Sequence, residues 1–436
     1  MEKKSYRSSF ILLTTLFFLW GFITVLVDSL IPRLRELFTL SYFEAGLVQF
    51  AFFGAYFLLS IPVSYILSKI GYKRGIILGL LTMATGCLLF YPAASYRIFG
   101  IFMIAYFILA GGMTILQVAA NPFVAVLGSE DGASSRLNLS QAFNSLGTAI
   151  APAVGALLIL SDTIKTEDEI ASLSTTAKEV YLATEASAVQ IPFIGLALFI
   201  IFIACIFFFA KLPNLISEKS TGTYAEALKQ KKLMLGVLGI FLYVGAEVAI
   251  GSYLVNYLLD MNLVEVIKNN NFMKSIAEGI LNSGLTDNDN KAIVGVFVTF
   301  YWSGAMIGRF IGSYLTKIIN PGKVLGIFAT SAILLILISV STTGLLSMWS
   351  ILAVGLFNSI MFPTIFTLAI DGIGVLKPKA SGLLCTAIVG GAIIPPLYGY
   401  LTDEIGFKAA LIFIIMCYSY ILFYGYKNSK SILHHA

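Results

Sequence analysis

Five polar residues interrupt long apolar runs of this chain: Asp28, Gln117, Asn121, Asn144 and Glu247. Their neighbours are mostly Leu, Ile, Val, Phe, Gly and Ala. A carboxylate inside a bilayer costs several kcal/mol, so such groups normally face a bundle interior or a water-filled path. In the first run Trp20, Thr24 and Asp28 fall at i, i+4 and i+8 and share one helical face. In the fourth, Thr114, Gln117 and Asn121 form a second stripe, and Gln141, Asn144 and Thr148 form a third in the fifth. Tyr243, Glu247 and Gly251 align in the seventh, and Asn358 lies near Pro363 in the tenth. Amides both donate to and accept from hydroxyls. An indole or phenol face covers an apolar C–H patch. Together these groups suit a polyhydroxylated ligand, and the two carboxylates add a place for a cation.

Each position also has a plainer reading. Asn and Gln in membrane helices often bond neighbouring helices, for about 0.6 kcal/mol each. Such glue does not need a carboxylate beside it, so Asp28 and Glu247 are the stronger functional candidates, as substrate acceptors or ion-coupling groups. Asp371 reads as a solvated helix end, and Arg309 as a side chain that snorkels to the membrane surface. His434 and His435 lie in the tail, with no chemistry assigned to them.

The elements that must position these groups are membrane helices. Of the 436 residues, 58% are hydrophobic and only 12% charged, against about 25% charged in soluble proteins. Mean hydropathy is +0.90. A span needs about 20 mostly apolar residues. Twelve such runs are predicted, at 9–36, 42–68, 75–93, 99–127, 136–160, 190–211, 233–259, 289–317, 323–343, 347–370, 379–402 and 408–426. The expected fold is all-α. The four cysteines fall inside spans without metal-ligand spacing and read as small apolar core residues. The basic start MEKKSYR precedes an apolar run too long for a signal-peptide core, so the first span is expected to stay.

With the N-terminus placed inside, about 19 of the 28 Lys and Arg fall on cytoplasmic segments or inner helix ends. Both termini are therefore expected in the cytoplasm. The pI near 8.8 is a topology signal rather than a nucleic-acid footprint. Residues 212–232 form a polar linker between 1–211 and 233–436, each with six spans. This suggests two pseudo-symmetric six-helix bundles, with the site at the midplane between them. IPVSYILSKIGYKRG and GAMIGRFIGSYLTKIINPGK echo each other after the second and eighth spans. Their basic turns read either as positive-inside bias or as partners for helix ends. The loops 161–189 and 260–288 read as outside, mixed or acidic in charge, and the Asn269–Asn271 run in the latter has no reading beyond solvation.

There is no P-loop, no G-x-S-x-G elbow, no H-E-x-x-H and no Cys/His cluster. An enzyme is not expected, and neither is a cofactor. Without an ATP site, movement of a substrate would have to draw on an ion gradient or on the substrate's own gradient. The partners expected are the substrate and the lipid bilayer, with no nucleic acid and no obligate protein.

Six segments carry a family resemblance: ILQVAANPFVAVLG, RLNLSQAFNSLGTAIAP, YVGAEVAIGSYLV, TFYWSGAMIGRFIGS, FNSIMFPTIFTLA and AIVGGAIIPPLYG. They resemble the bacterial glucose/galactose transporters, grouped with the fucose–proton symporters in the major facilitator superfamily. The resemblance runs through nearly the whole chain. It implies twelve helices, alternating access and monosaccharide uptake by symport across a bacterial inner membrane. It also implies a role for Asp28 in sugar binding or proton coupling. The fucose symporters have Glu where this chain has Gln117, and Gln where it has Glu247. Carboxylate and amide have traded halves. The resulting expectation is that Glu247 and Asp28 answer the coupling cation while Gln117, Asn121 and Asn144 hold sugar hydroxyls. Trp20, Thr24, Gln141, Tyr243 and Asn358 complete the binding set. A proton is the favoured cation, with sodium at Glu247 as the alternative. Two further readings are a transporter of the same fold for L-fucose or an amino sugar, and a non-transporting membrane sugar receptor. The short tail after 427 argues against the receptor.

Overall fold

The computed structural model describes residues 6–37, 42–159, 172–213 and 222–429. Among these the regular structure is helical, with no strand. The first six long helices are α1 (Arg7–Leu37), α2 (Tyr42–Ile70), α3 (Tyr72–Tyr96), α4 (Phe99–Val126), α5 (Ala133–Ile159) and α6 (Thr175–Phe209). A short α7 (Tyr224–Lys229) precedes α8 (Lys231–Asp260), α9 (Leu263–Asn269) and α10 (Asn271–Leu281). Then follow α11 (Asn290–Ile318), α12 (Pro321–Ser341), α13 (Gly344–Asn358), α14 (Met361–Ile370), α15 (Lys377–Thr386), α16 (Gly390–Ile405) and α17 (Phe407–Ser429). Among the described residues, eleven helical stretches are long and apolar enough to cross a membrane, and α5 occupies the place of the remaining span.

Three regions differ from the sequence expectation. The sixth helix starts at Thr175 rather than near residue 190, because the Ser174 hydroxyl caps it by accepting from Ala177 N at 3.3 Å. Its first turns are polar, so an apolar-run criterion misses them. The 260–288 loop contains α9 and α10. There Asn270 has a defined job: its Oδ1 accepts from Met273 N at 3.0 Å and caps α10. In the linker, Thr223 and Glu226 cap α7 reciprocally, at 3.1 Å and 3.2 Å. The Tyr224 hydroxyl then donates to Ile61 O at 2.8 Å and meets the Ser64 hydroxyl, docking α7 on α2.

The tenth and eleventh spans are each broken. The tenth is α13 and α14, parted at Ser359–Ile360, and the eleventh is α15 and α16 around a tight turn at Ala387–Val389. Prolines mark matching places in the two halves, with Pro122 and Pro363 in the fourth helix of each. TAIAP ending at Pro152 and GAIIP ending at Pro395 lie in the fifth helix of each. That is a clearer trace of duplication than the basic turns.

The chain forms two compact units. The first comprises Met1–Gly128, Phe143–Ala227 and Gly372–Thr386; the second comprises Ser129–Ala142, Leu228–Asp371 and Ala387–Ala436. Each therefore takes one segment from the opposite half of the sequence. In the first unit α3 and α4 approach closely because glycines line the contact. A Cβ on Gly86 would stand 2.6 Å from Leu109 N, and one on Gly112 2.5 Å from Met83 N. Phe90 and Phe193 stack at 4.0 Å and join α3 to α6. Lys73 donates to Phe208 O at 2.8 Å and Ala210 O at 2.7 Å, so this basic residue does cap a helix end. Arg97 pairs with Glu179 at 2.8 Å and holds that carboxyl below the usual carboxylate range. In the second unit Asp371 is half-exposed but paired with Lys232 at 2.9 Å, and Lys408 donates to Thr342 O at 2.6 Å.

Gly86→Val is expected to destabilise the first unit by roughly 1–3 kcal/mol, because the added carbons push against α4 backbone that cannot yield. A lower apparent melting temperature of the purified protein checks this. An unchanged melting curve would mean the α3–α4 contact is looser than the structure shows.

Candidate functional site

Each unit holds its own group of the polar residues singled out above. In the first, Trp20 is buried and packs on Phe17 with ring centroids 5.7 Å apart. The Thr24 hydroxyl donates back to Trp20 O at 2.9 Å and touches Met113 Sδ at 3.9 Å. Asp28 lies on α1, but its side chain is outside the described residues. Gln117 is half-buried and its Oε1 accepts from the Tyr56 hydroxyl at 3.0 Å. Asn121, one turn on, is fully buried. Thr114 is fully buried too, and its hydroxyl donates back to Ala110 O at 2.9 Å. Asn144 donates to Phe17 O at 2.9 Å, so this amide ties α5 to α1. For Asn144 the plain helix-bonding role is present in the structure. Thr148 is spent locally on Ser145 O at 2.8 Å.

In the second unit the expected residues converge. Tyr243 and Asn358 are buried, and Glu247 on α8 is half-buried. The Tyr243 hydroxyl lies in interaction range of the Glu247 carboxyl without closing a well-formed hydrogen bond. Asn358 Nδ2 donates to the Tyr301 hydroxyl at 2.6 Å. The Tyr418 hydroxyl comes up to Asn358 and Tyr243 from α17. Three atoms of this nest, Tyr243 Oη, Asn358 Oδ1 and Tyr418 Oη, are buried without a hydrogen-bond partner. Leaving a buried polar atom unpaired costs about 1–3 kcal/mol. Orphans on α8, α13 and α17 around one carboxylate therefore mark a built polar site. Gly251, one turn along α8, makes room for the Trp302 ring, which a Cβ would meet at 2.9 Å.

Arg309 does not snorkel. Its Nε donates to Ser359 O at 3.1 Å and its Nη1 to Gln141 O at 3.4 Å. Its charge acts on Glu247. Gln141 belongs to the Ser129–Ala142 segment packed in this unit, and is buried there. The same segment is stitched on by Ser134 to Thr367 at 2.6 Å, Asn138 Nδ2 to Thr364 Oγ1 at 3.2 Å and Ser313 Oγ to Ser135 O at 3.0 Å. Among the described residues no group of three His, Cys, Asp or Glu could hold a metal. The oxygens of Glu247, Asn358 and the tyrosines form the donor set suited to a hard monovalent cation or to sugar hydroxyls.

The Major Facilitator Superfamily profile matches residues 8–384. The chain belongs to the Major Facilitator Superfamily. It is similar to the "Glucose/galactose transporter" of Brucella abortus, with 47% identity over 99% of this chain and 96% of the relative. It is also similar to the "L-fucose-proton symporter" of Escherichia coli, with 34% identity over 99% of this chain and 95% of the relative. Among solved structures, the Escherichia coli fucose:proton symporter superposes with a TM-score of 0.85 at 32% identity, over 98% of this chain and all of that one. As a superfamily member the chain is a multi-pass membrane transporter, not an enzyme.

Sequence reading missed four residues of this superfamily member's polar groups: Tyr56, Tyr301, Arg309 and Tyr418. Arg309 carried a usable signal, because an ionisable residue inside GAMIGRFIGS should first be read as functional. The tyrosines carried none, since a Tyr in an apolar run is indistinguishable from core filling.

Proposed function

We propose that this protein is a cation-coupled hexose symporter of a bacterial inner membrane. It takes up glucose, galactose or both by alternating access, with both termini cytoplasmic. The observation carrying this reading is the Glu247 nest: a lone carboxylate with buried tyrosine and amide oxygens, in a chain 47% identical to a glucose/galactose transporter. Glu247 and Asp28 answer the cation. Gln117 and Asn121 in the first unit, and Tyr243 and Asn358 in the second, meet sugar hydroxyls, with Trp20, Thr24 and Gln141 shaping the site. Asn144 contributes its carbonyl oxygen, since its Nδ2 is held by Phe17 O. A proton is favoured over sodium, because one carboxylate can carry a proton alone whereas sodium takes several oxygen ligands, and the 34%-identical Escherichia coli relative is an L-fucose-proton symporter.

Radiolabelled glucose, galactose and L-fucose uptake into proteoliposomes tests the proposal, with a proton and a sodium gradient imposed separately. Accumulation of a hexose under the proton gradient alone is expected. Accumulation of L-fucose only would transfer the assignment to that sugar, and no gradient-driven uptake of any of them would remove the symport reading.

A further inference from the structure

A proline inside a helix has no N–H to give the carbonyl four residues before it. Pro122 in α4 therefore leaves the Val118 carbonyl without its helical donor, and Pro363 in α14 leaves that of Ser359. Both carbonyls are taken by side chains from other helices. Ser381 Oγ on α15 donates to Val118 O at 2.8 Å, and Arg309 Nε on α11 donates to Ser359 O at 3.1 Å.

The geometry at Ser359 shows what the arginine replaces. Ser359 has φ −49° and ψ −44°, and Ile360 has φ −91° and ψ −6°, so the backbone stays right-handed through the break. Thr364 N still reaches Ile360 O at 3.0 Å. An N–H at residue 363, in the first turn of α14, would thus point back toward the Ser359 carbonyl, and proline supplies none. Gly308, just before the arginine, leaves the space in which α11 meets Leu356 and Ser359. A guanidinium offers a fork of donors where an ammonium offers one nitrogen. Arg309 uses the fork, with Nε on Ser359 O and Nη1 on Gln141 O.

We propose that Arg309 is a positioning residue that stands in for the N–H Pro363 lacks, holding the end of α13 so that Asn358, on the Tyr301 hydroxyl, faces Glu247. Ser381 does the neutral equivalent for α4, next to Gln117 and Asn121. The link from Arg309 to sugar affinity rests on the transport reading above; its link to the helix break does not.

The test compares Arg309→Gln, Arg309→Lys, Pro363→Ala and the Arg309→Gln/Pro363→Ala double variant, each purified for melting and reconstituted for glucose or galactose counterflow. Loss of one charge-assisted hydrogen bond predicts roughly a tenfold rise in KM for Arg309→Gln, with a lower melting temperature. Pro363→Ala restores a backbone donor and is expected to stay within about twofold of wild type on its own. In the double variant it should bring KM back to within about twofold of wild type and recover the melting temperature. Arg309→Lys should recover only part of the loss. A double variant as impaired as Arg309→Gln overturns the proposal. So does a double variant with restored melting but unrestored KM, since that is the behaviour of a merely structural cap. If the wild type carries no hexose, the transport assignment fails, while the melting series still reports whether Arg309 replaces the proline's missing donor.

Discussion

Glu247→Gln is expected to abolish uphill sugar accumulation while leaving downhill exchange measurable. The amide has nearly the shape of the carboxyl, so the packing of α8 against Tyr243 should survive. It cannot gain and lose a proton, nor offer a full negative charge to a cation or to Arg309. A carrier that cycles without its coupling ion equilibrates its substrate and nothing more. Each ~1.4 kcal/mol of gradient captured corresponds to a tenfold accumulation ratio, so the ratio in proteoliposomes should fall to about one. Counterflow of labelled sugar against unlabelled sugar should persist. Accumulation by the variant at the wild-type ratio would refute the assignment of Glu247 and move coupling to Asp28. Adding Gln117→Glu to this variant would return the acid to the fourth helix, where the family resemblance places it in the fucose symporters, and tests whether the acid's location is interchangeable.

A disulfide between Ser134→Cys and Thr367→Cys is expected to stop transport almost completely, and reduction to restore it. The two hydroxyl oxygens stand 2.6 Å apart, so sulfurs in their places need move little to form an S–S bond of about 2 Å. Ser134 is on α5 from the first half of the sequence, and Thr367 is on α14 from the second. The alternating access proposed above moves the halves of the sequence against one another, so Ser129–Ala142 would have to leave the second unit in every cycle, and neutral hydroxyl and amide bonds suit such a contact. A net value of about 1 kcal/mol each makes them easy to exchange for water. Cys205 is exposed while Cys87, Cys385 and Cys417 are buried, so the pair should be built on a Cys205→Ser background. Full uptake after complete oxidation would show that the contact does not part during transport.

Much of the fold was legible because hydrocarbon thickness imposes run length. The polar starts of helices were not. Thr175–Gln190 lacks the apolar density of a span, and only the Ser174 cap reveals where α6 begins. The candidate site was legible wherever a charge or amide stood out against its neighbours, as with Glu247, Gln117 and Asn358. Periodicity assigns a face but not what that face meets. Asn144 therefore reads as a sugar ligand from its spacing, which does not announce that its Nδ2 also ties α5 to Phe17 O. Arg309 reads as a helix-end cation when depth is taken along α11 alone. Its partners, Ser359 and Gln141, are distant in sequence. The breaks followed from Pro363 and Pro122 in principle, but the donors that repair them come from helices that sequence spacing does not connect.

The exchange of segments between the two units sets an order of manufacture. A growing chain completes N-terminal regions first, yet the first unit includes Gly372–Thr386. It therefore stays unfinished until most of the protein has been synthesised. During that interval the Val118 carbonyl in α4 has no Ser381 to meet it. The second unit waits as well, for Ala387–Ala436, although its borrowed segment Ser129–Ala142 is made before any of its other parts. A ribosome stalled before residue 372 would thus leave the earlier-made unit as incomplete as the later one, and quality-control proteases would find a substrate in each.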